Sequence, residues 1–292
     1  MSSLRGPLLI AGLALAWGSN FLWIKVALEA FGPMQLTVAR IVLGALFLLV
    51  VIAVRRERLP RDLATWRHLF VAALVGNTAP YTLYALGEIR VDSGIAGSLN
   101  ATTPLWTLAL GLAARQISRL TVPQFGGLLL GFGGCLLVFT PWDAGAVDPL
   151  GALCCLCAGL SYGISYLYMS RFLTPRQLSP TVLSAGQLLA ACVLSAATLP
   201  LDPAGTPEWS TGPWLAMIVL GVVGSGFAYV LNYALIRTEG AVGASVVTYL
   251  IPIASLGLGF LVLGESVPLL AIAGVAAILV GVAASRRSAP IS

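Results

Sequence analysis

The feature that most constrains this chain is a succession of apolar windows, each long enough to cross a bilayer. Within hydrocarbon no water satisfies backbone N–H and C=O groups, so a single crossing segment must satisfy them internally, as a helix. A bilayer core about 30 Å thick calls for roughly 20 helical residues. Windows of that size fall at 7–28, 34–54, 67–87, 94–114, 120–139, 149–169, 179–199, 213–236, 241–263 and 267–285. The sequence therefore predicts an all-α integral membrane protein with ten transmembrane helices. The longest connectors are 55–66, 140–148 and 200–212. None can fold into a soluble domain, so the function must lie in the bundle itself. Charged residues make up 9% of the chain, against about 25% in soluble domains. The first window, from near Pro7, exceeds signal-peptide length without a small-residue cleavage site, and reads as a retained span.

Ten spans place both termini on one face, and the basic residues then segregate. Thirteen collect on that face: Arg5, Arg55, Arg56, Arg58, Arg61, Arg67, Arg115, Arg119, Arg171, Arg176, Arg237, Arg286 and Arg287. Only Lys25 and Arg90 fall opposite. The positive-inside rule puts both termini in the cytoplasm of a cell that holds the protein in its inner membrane. The net charge of +5 sits in these connectors and is no sign of a nucleic-acid partner. Cys135, Cys154, Cys155, Cys157 and Cys192 lie in apolar runs, and His68 is the lone histidine. No second thiolate pair completes a zinc site, so these are inert buried thiols. There is no Walker lysine loop, hence no ATP-binding subunit, and no cofactor is expected. The expected partners are a small-molecule substrate and membrane lipid.

Shifting the sequence by 148 positions lays Val75 on Val223, Gly76 on Gly224, Tyr81 on Tyr229 and Pro104 on Pro252, with Ser118 on Ser266 further along. The aligned Tyr and Pro pairs carry most weight, because Gly and Leu matches are common by chance in apolar sequence. Trp17-Gly18 matches Tyr162-Gly163 more loosely. Two five-helix units, 1–145 and 146–292, follow. Five being odd, they must insert in opposite directions. Inverted repeats are the architecture of secondary transporters, with substrate bound near the midplane at the repeat interface.

The phrase AWGSNFLWIKVALEAFGPMQLTVAR, the prolines of the fourth and ninth windows, and LGESVPLLAIAG resemble the EamA-type carriers of the drug/metabolite transporter superfamily. The resemblance runs through both halves. It implies ten helices in two inverted repeats and movement of small metabolites. Within that superfamily the chain is similar to YddG-type exporters of aromatic amino acids. It departs at Gly264-Glu265, where the first half reads Arg115-Gln116-Ile117, so any role of the glutamate belongs to one half only.

Polar groups in hydrocarbon are costly unless they pair or face a wet cavity. Six windows carry them: Trp17 and Asn20 in the first; Asn77, Tyr81 and Tyr84 in the third; Asn100 and Trp106 in the fourth. Tyr162 and Tyr166 lie in the sixth, Tyr229, Asn232 and Tyr233 in the eighth, and Tyr249 in the ninth. The fifth and tenth windows are almost purely aliphatic and glycine. Interhelical hydrogen bonds, worth about 0.6–2 kcal/mol each, account for single Ser and Thr residues. The Tyr/Asn/Trp set on equivalent windows of both halves is assigned as substrate-binding. Pro104 and Pro252 interrupt mid-span hydrogen bonding and are assigned as hinges. Gly127 and Gly131, Gly159 and Gly163, and Ala273, Ala277 and Gly281 follow four-residue spacing, which brings helices close. Lys25 reads as snorkelling outward. Arg40, about two turns into its window, is placed to anchor a substrate carboxylate, cap a carbonyl or reach the headgroups.

Glu88 and Glu265 sit at helix ends, and no carboxylate lies mid-span. Proton-coupled extrusion of cations needs a central acid, so a facilitative exporter of neutral amino acids, aromatic ones best, is expected. The alternative is proton-coupled export of other metabolites or hydrophobic drugs. An enzyme is not expected, since a serine nucleophile needs a paired base and His68 stands at a span end. A receptor role is disfavoured because no extramembrane domain exists to serve it.

Overall fold

The computed structural model describes residues 5–91, 93–117, 121–143, 147–202, 205, 207, 209–263 and 268–286. The Gly264-Glu265 departure, the Ser118/Ser266 pair, Arg119, Arg287 and the side chain of Lys25 lie outside them. The described residues form a multi-pass helical membrane bundle. Its helices are α1 (Arg5–Gly18), α2 (Asn20–Ala27), α3 (Pro33–Arg55), α4 (Leu63–Ala73), α5 (Ala79–Glu88), α6 (Ser93–Asn100) and α7 (Thr103–Ala113). The second half continues with α8 (Val122–Phe139), α9 (Pro149–Tyr168), α10 (Pro180–Ala196), α11 (Thr211–Val219), α12 (Ala228–Ser245), α13 (Ile251–Leu263) and α14 (Leu269–Arg286).

Local chemistry sets several helix starts. The Asp62 carboxylate accepts from the Thr65 amide at 2.7 Å, and Asp148 accepts from Gly151 at 2.7 Å. Ser179 accepts from Val182 at 3.2 Å, opening α10. Each side chain satisfies one amide that a helix start leaves free. Pro33, Pro149 and Pro180 occupy the first turn, where the missing N–H has no intrahelical partner to lose.

The expectation of ten transmembrane helices in two inverted five-helix repeats is corrected. Among the described residues, six helices are long and apolar enough to cross a membrane: Gly6–Ile24, Pro33–Arg55, Leu63–Glu88, Val122–Phe139, Pro149–Arg176 and Thr211–Leu258. Helix continuity accounts for the difference. The windows at 213–236 and 241–263 belong to one helical track, bent at Gly240, whose φ of 71° is non-helical. The window at 94–114 is divided by a turn at Ala101-Thr102 into α6, of 8 residues, and α7, of 11. Pro180–Ala196 and Leu269–Ser285 are apolar but shorter.

Beside the π-helical turn Met169–Leu173 that ends α9, a matched pair of π-helical segments interrupts the regular ladder, Leu74–Thr78 between α4 and α5 and Leu220–Phe227 between α11 and α12. They overlap on the 148-residue shift. Such segments widen the turn and shift the faces that follow. In each, a glycine admits a polar side chain from the other half: a Cβ at Gly76 would collide with Ser165, and one at Gly224 with Asn20.

The main core joins Leu13 of α1, Ile41 and Leu48 of α3, Leu69 of α4, Leu183 and Leu188 of α10, and Tyr233 of α12, all buried. Helices α8 and α14 pack together separately. A methyl group at Gly127 would stand 2.6 Å from the Gly281 carbonyl oxygen, and one at Gly134 would stand 2.7 Å from that of Gly274. The small-residue spacing thus brings two backbones of one chain into contact, as expected of such stripes. Gly159 and Gly163 of α9 lie similarly against α6 and α7.

Candidate functional site

The faces of several helices converge on one cavity. Along α5, Tyr81, Tyr84, Ala85 and Glu88 share a face at positions i, i+3, i+4 and i+7, and Tyr162, Ser165, Tyr166 and Met169 repeat the spacing from α9 onward. α3 contributes Leu36, Thr37 and Arg40, and α12 contributes Tyr229 and Asn232. Trp17, Asn20, Ile24 and Leu28 run down α1 and α2, while Asn100, Thr248 and Ile251 complete the wall. The cavity holds about 980 Å³ of space free of protein atoms, including its mouth.

Its wall is aromatic. Tyr84 and Tyr162 stack with centroids 6.0 Å apart at 25°, and Trp17 meets Tyr229 edge-on at 6.4 Å. Such pairs leave flat faces suited to a ring or an aliphatic side chain. The one buried cation of the wall is Arg40, 5% exposed. Its guanidinium carbon sits 4.2 Å from the centroid of the Tyr81 ring, and its Nε donates to Ser225 Oγ at 3.1 Å. Among the described residues it has no ion pair. The Tyr81 face and the Ser225 hydroxyl hold the guanidinium in place and leave its terminal nitrogens for another partner.

Four further polar atoms of cavity residues are buried without a hydrogen-bond partner: Asn20 Oδ1, Tyr84 OH, Tyr166 OH and Asn232 Oδ1. Buried polar groups are almost always paired, and each orphan costs about 1–3 kcal/mol. Clustered around one cavity, they form a set of hydrogen-bonding groups poised for a bound molecule or for water. Among the described residues no three His, Cys, Asp or Glu side chains gather to hold a metal.

Nine of the residues expected at a site lie in this wall: Trp17, Asn20, Tyr81, Tyr84, Asn100, Tyr162, Tyr166, Tyr229 and Asn232. Four lie outside it. Asn77 sits in the first π-helical segment and accepts from Gln187 Nε2 at 2.7 Å. Tyr233 donates to the Oε1 of the same glutamine. Trp106 packs its Cβ beside Gly163, and the ring of Tyr249 covers Gly131 of α8. Pro104 and Pro252 stand in the second position of α7 and α13. The breaks precede them, at the Ala101-Thr102 turn and the 3-10 segment Val246–Leu250.

Sequence reasoning missed Gln187, though a lone glutamine in the Ala/Leu/Val surroundings of α10 was a usable signal. It also set Glu88 aside as a helix-end residue, whereas this half-buried carboxylate lines the cavity with Arg40. Among the described residues Arg40 caps no carbonyl. His68 lies elsewhere, stacked on Phe172 at 4.9 Å with its Nδ1 2.7 Å from the Tyr168 hydroxyl.

A helical membrane bundle around an aromatic, polar-studded cavity has the build of a small-molecule carrier. The chain belongs to the EamA-like transporter family, whose model matches residues 4–140 and again 149–286. That places it with transporters of the drug/metabolite superfamily rather than with enzymes. It is 23% identical to the "Uncharacterized transporter YoaV" of Bacillus subtilis over 94% of each chain. It is 26% identical to the "Uncharacterized inner membrane transporter YedA" of Escherichia coli K12, over 87% of this chain and 81% of that one. A third relative, the "Probable terminal-alkyne amino-acid exporter" of Streptantibioticus cattleyicolor, is 28% identical over 94% and 90%. One solved crystal structure aligns at a TM-score of 0.79 and 21% identity over 97% of both chains, a likeness of fold.

Proposed function

We propose that the protein exports small neutral metabolites across the inner membrane by alternating access, and that amino acids, aromatic ones best, are its substrates. The observation that carries this reading is Arg40, a buried guanidinium held over Tyr81 in an aromatic cavity and without an ion pair among the described residues. A carboxylate is the natural partner of such a fork. The Tyr84–Tyr162 stack and Trp17 give an adjoining side chain an apolar surface, and the orphaned amides and hydroxyls supply neutral contacts.

The printed name of the Streptantibioticus cattleyicolor relative, an amino-acid exporter, supports the substrate class, and that of YedA supports the inner membrane. The double match of the family model supports reading 1–145 and 146–292 as two copies of one unit. The breaks before Pro104 and Pro252 are the proposed hinges, with α7 and α13 moving as rigid pieces beyond them. Transport is facilitative, down the substrate gradient.

The test is ligand-induced stabilisation of the purified protein in detergent, over panels of amino acids, sugars and nucleosides. A ligand at a hundred times its Kd stabilises by about 2.7 kcal/mol. Upward shifts of the melting temperature with phenylalanine or tryptophan, absent with sugars and nucleosides, are expected. Shifts with sugars or nucleosides alone would overturn the substrate class.

A further inference from the structure

The cavity contains a second charge that the proposed function leaves unused. Glu88 ends α5 on the same face as Tyr81 and Tyr84, and it lines the cavity that Arg40 lines. Yet the two do not join. Among the described residues the ion pairs are Arg90–Asp148 and Arg176–Asp62, and Glu88 has no hydrogen-bond partner.

Opposite charges sharing a poorly hydrated space attract strongly, and an unpaired charge there is costly. Here Arg40 is kept from swinging toward Glu88 by the Tyr81 face and the Ser225 hydroxyl. Glu88 is fixed at the end of its helix. The gap between them is therefore built into the wall. A molecule that bears one negative and one positive group can close it from within.

We infer that Glu88 is the specificity-determining residue that receives the substrate's ammonium group while Arg40 receives its carboxylate. The site thereby selects zwitterions over molecules bearing either charge alone. This rests on the amino-acid reading given above and adds a second anchor to it. The orphaned carboxamide oxygen of Asn232 adds an acceptor for ammonium protons, which Glu88 alone cannot exhaust.

The experiment uses the full chain in proteoliposomes, with phenylalanine, 3-phenylpropionate (no ammonium) and phenethylamine (no carboxylate) as probes. Wild type is expected to take up phenylalanine with at least tenfold lower half-saturation than either analogue. Glu88→Gln should weaken phenylalanine tenfold or more and, by removing a like charge, strengthen 3-phenylpropionate, so that the preference collapses. Glu88→Asp should recover part of it. A variant that merely misfolds would lose all three probes together, and equal loss that Glu88→Asp does not relieve would overturn the role. Undiminished preference for phenylalanine in Glu88→Gln would overturn this inference alone. Failure of wild type to move any amino acid would overturn the amino-acid reading and this inference with it.

Discussion

Replacing Gln187 with leucine tests whether the π-helical segment behind the cavity is held by one side chain. Gln187 is fully buried. Its Nε2 donates to Asn77 Oδ1 at 2.7 Å and to the Ala72 carbonyl at 3.3 Å, and its Oε1 accepts from Tyr233. Leucine keeps the volume and removes all three contacts. Interhelical hydrogen bonds in membranes average about 0.6 kcal/mol, so three give a floor of about 2 kcal/mol. The Tyr233 hydroxyl and Asn77 Oδ1 are left orphaned, at about 1–3 kcal/mol each, which sets a ceiling near 6. With roughly 2–4 °C per kcal/mol for a chain of this size, the melting temperature should fall by at least about 4 °C. Thermal unfolding in detergent, followed by size-exclusion recovery, reads this directly. Adding Tyr233→Phe removes one orphan, and the double variant should be more stable than the sum of the single losses predicts. Because neither Gln187, Asn77 nor Tyr233 lines the cavity, substrate half-saturation should stay within about twofold. An unchanged melt, or a full melt loss with strictly additive cycles, would refute the reasoning.

Other perturbations separate the parts of the molecule. Arg40→Met should weaken carboxylate binding by about 1.5–3 kcal/mol, ten- to a hundredfold in half-saturation; Arg40→Lys should recover only part, lacking the fork, as read by uptake titration. Tyr84→Ala should lower transport per folded molecule about tenfold, by removing one face of the Tyr84–Tyr162 stack. Tyr249→Ala should instead cost about 3–5 kcal/mol of stability with half-saturation unchanged, since that ring packs on Gly131. Gly134→Ala, whose methyl would stand 2.7 Å from the Gly274 carbonyl oxygen, should destabilise by about 1–3 kcal/mol. Gly126→Ala meets nothing within 4 Å and should stabilise α8 by about 0.5–1 kcal/mol, so the two melts should move in opposite directions.

Apolar windows made the helical membrane class legible, and nine of the polar and aromatic residues singled out within them lie in the cavity wall. What they could not convey is where a helix changes phase. Facing arguments assume 100° per residue, and this holds for Tyr81, Tyr84 and Glu88 on unbroken α5. It fails for Asn77, inside a π-helical segment, and for Tyr249, in a 3-10 segment. It fails also for Trp106, beyond the Ala101-Thr102 turn. Each of these looked like its neighbours in sequence and was turned away from the cavity by an irregular turn. The count of spans fails for the same reason, because hydropathy windows do not register that α11 to α13 run on as one track or that α6 and α7 are separate. Glu88 was misjudged because depth along a window says nothing of where a cavity reaches. Gly76 and Gly224 aligned between the halves, but only the packing shows them admitting Ser165 and Asn20.

The central claim is that this cavity carries neutral amino acids without a driving ion. Counterflow of labelled phenylalanine or tryptophan into proteoliposomes preloaded with the unlabelled compound, with and without an imposed pH gradient, tests it most directly. The account predicts rapid counterflow of equal extent under both conditions, with half-saturation raised about ten- to a hundredfold in Arg40→Met. Absence of counterflow would contradict the amino-acid assignment, and concentrative uptake that appears only with the proton gradient would contradict the uncoupled mechanism.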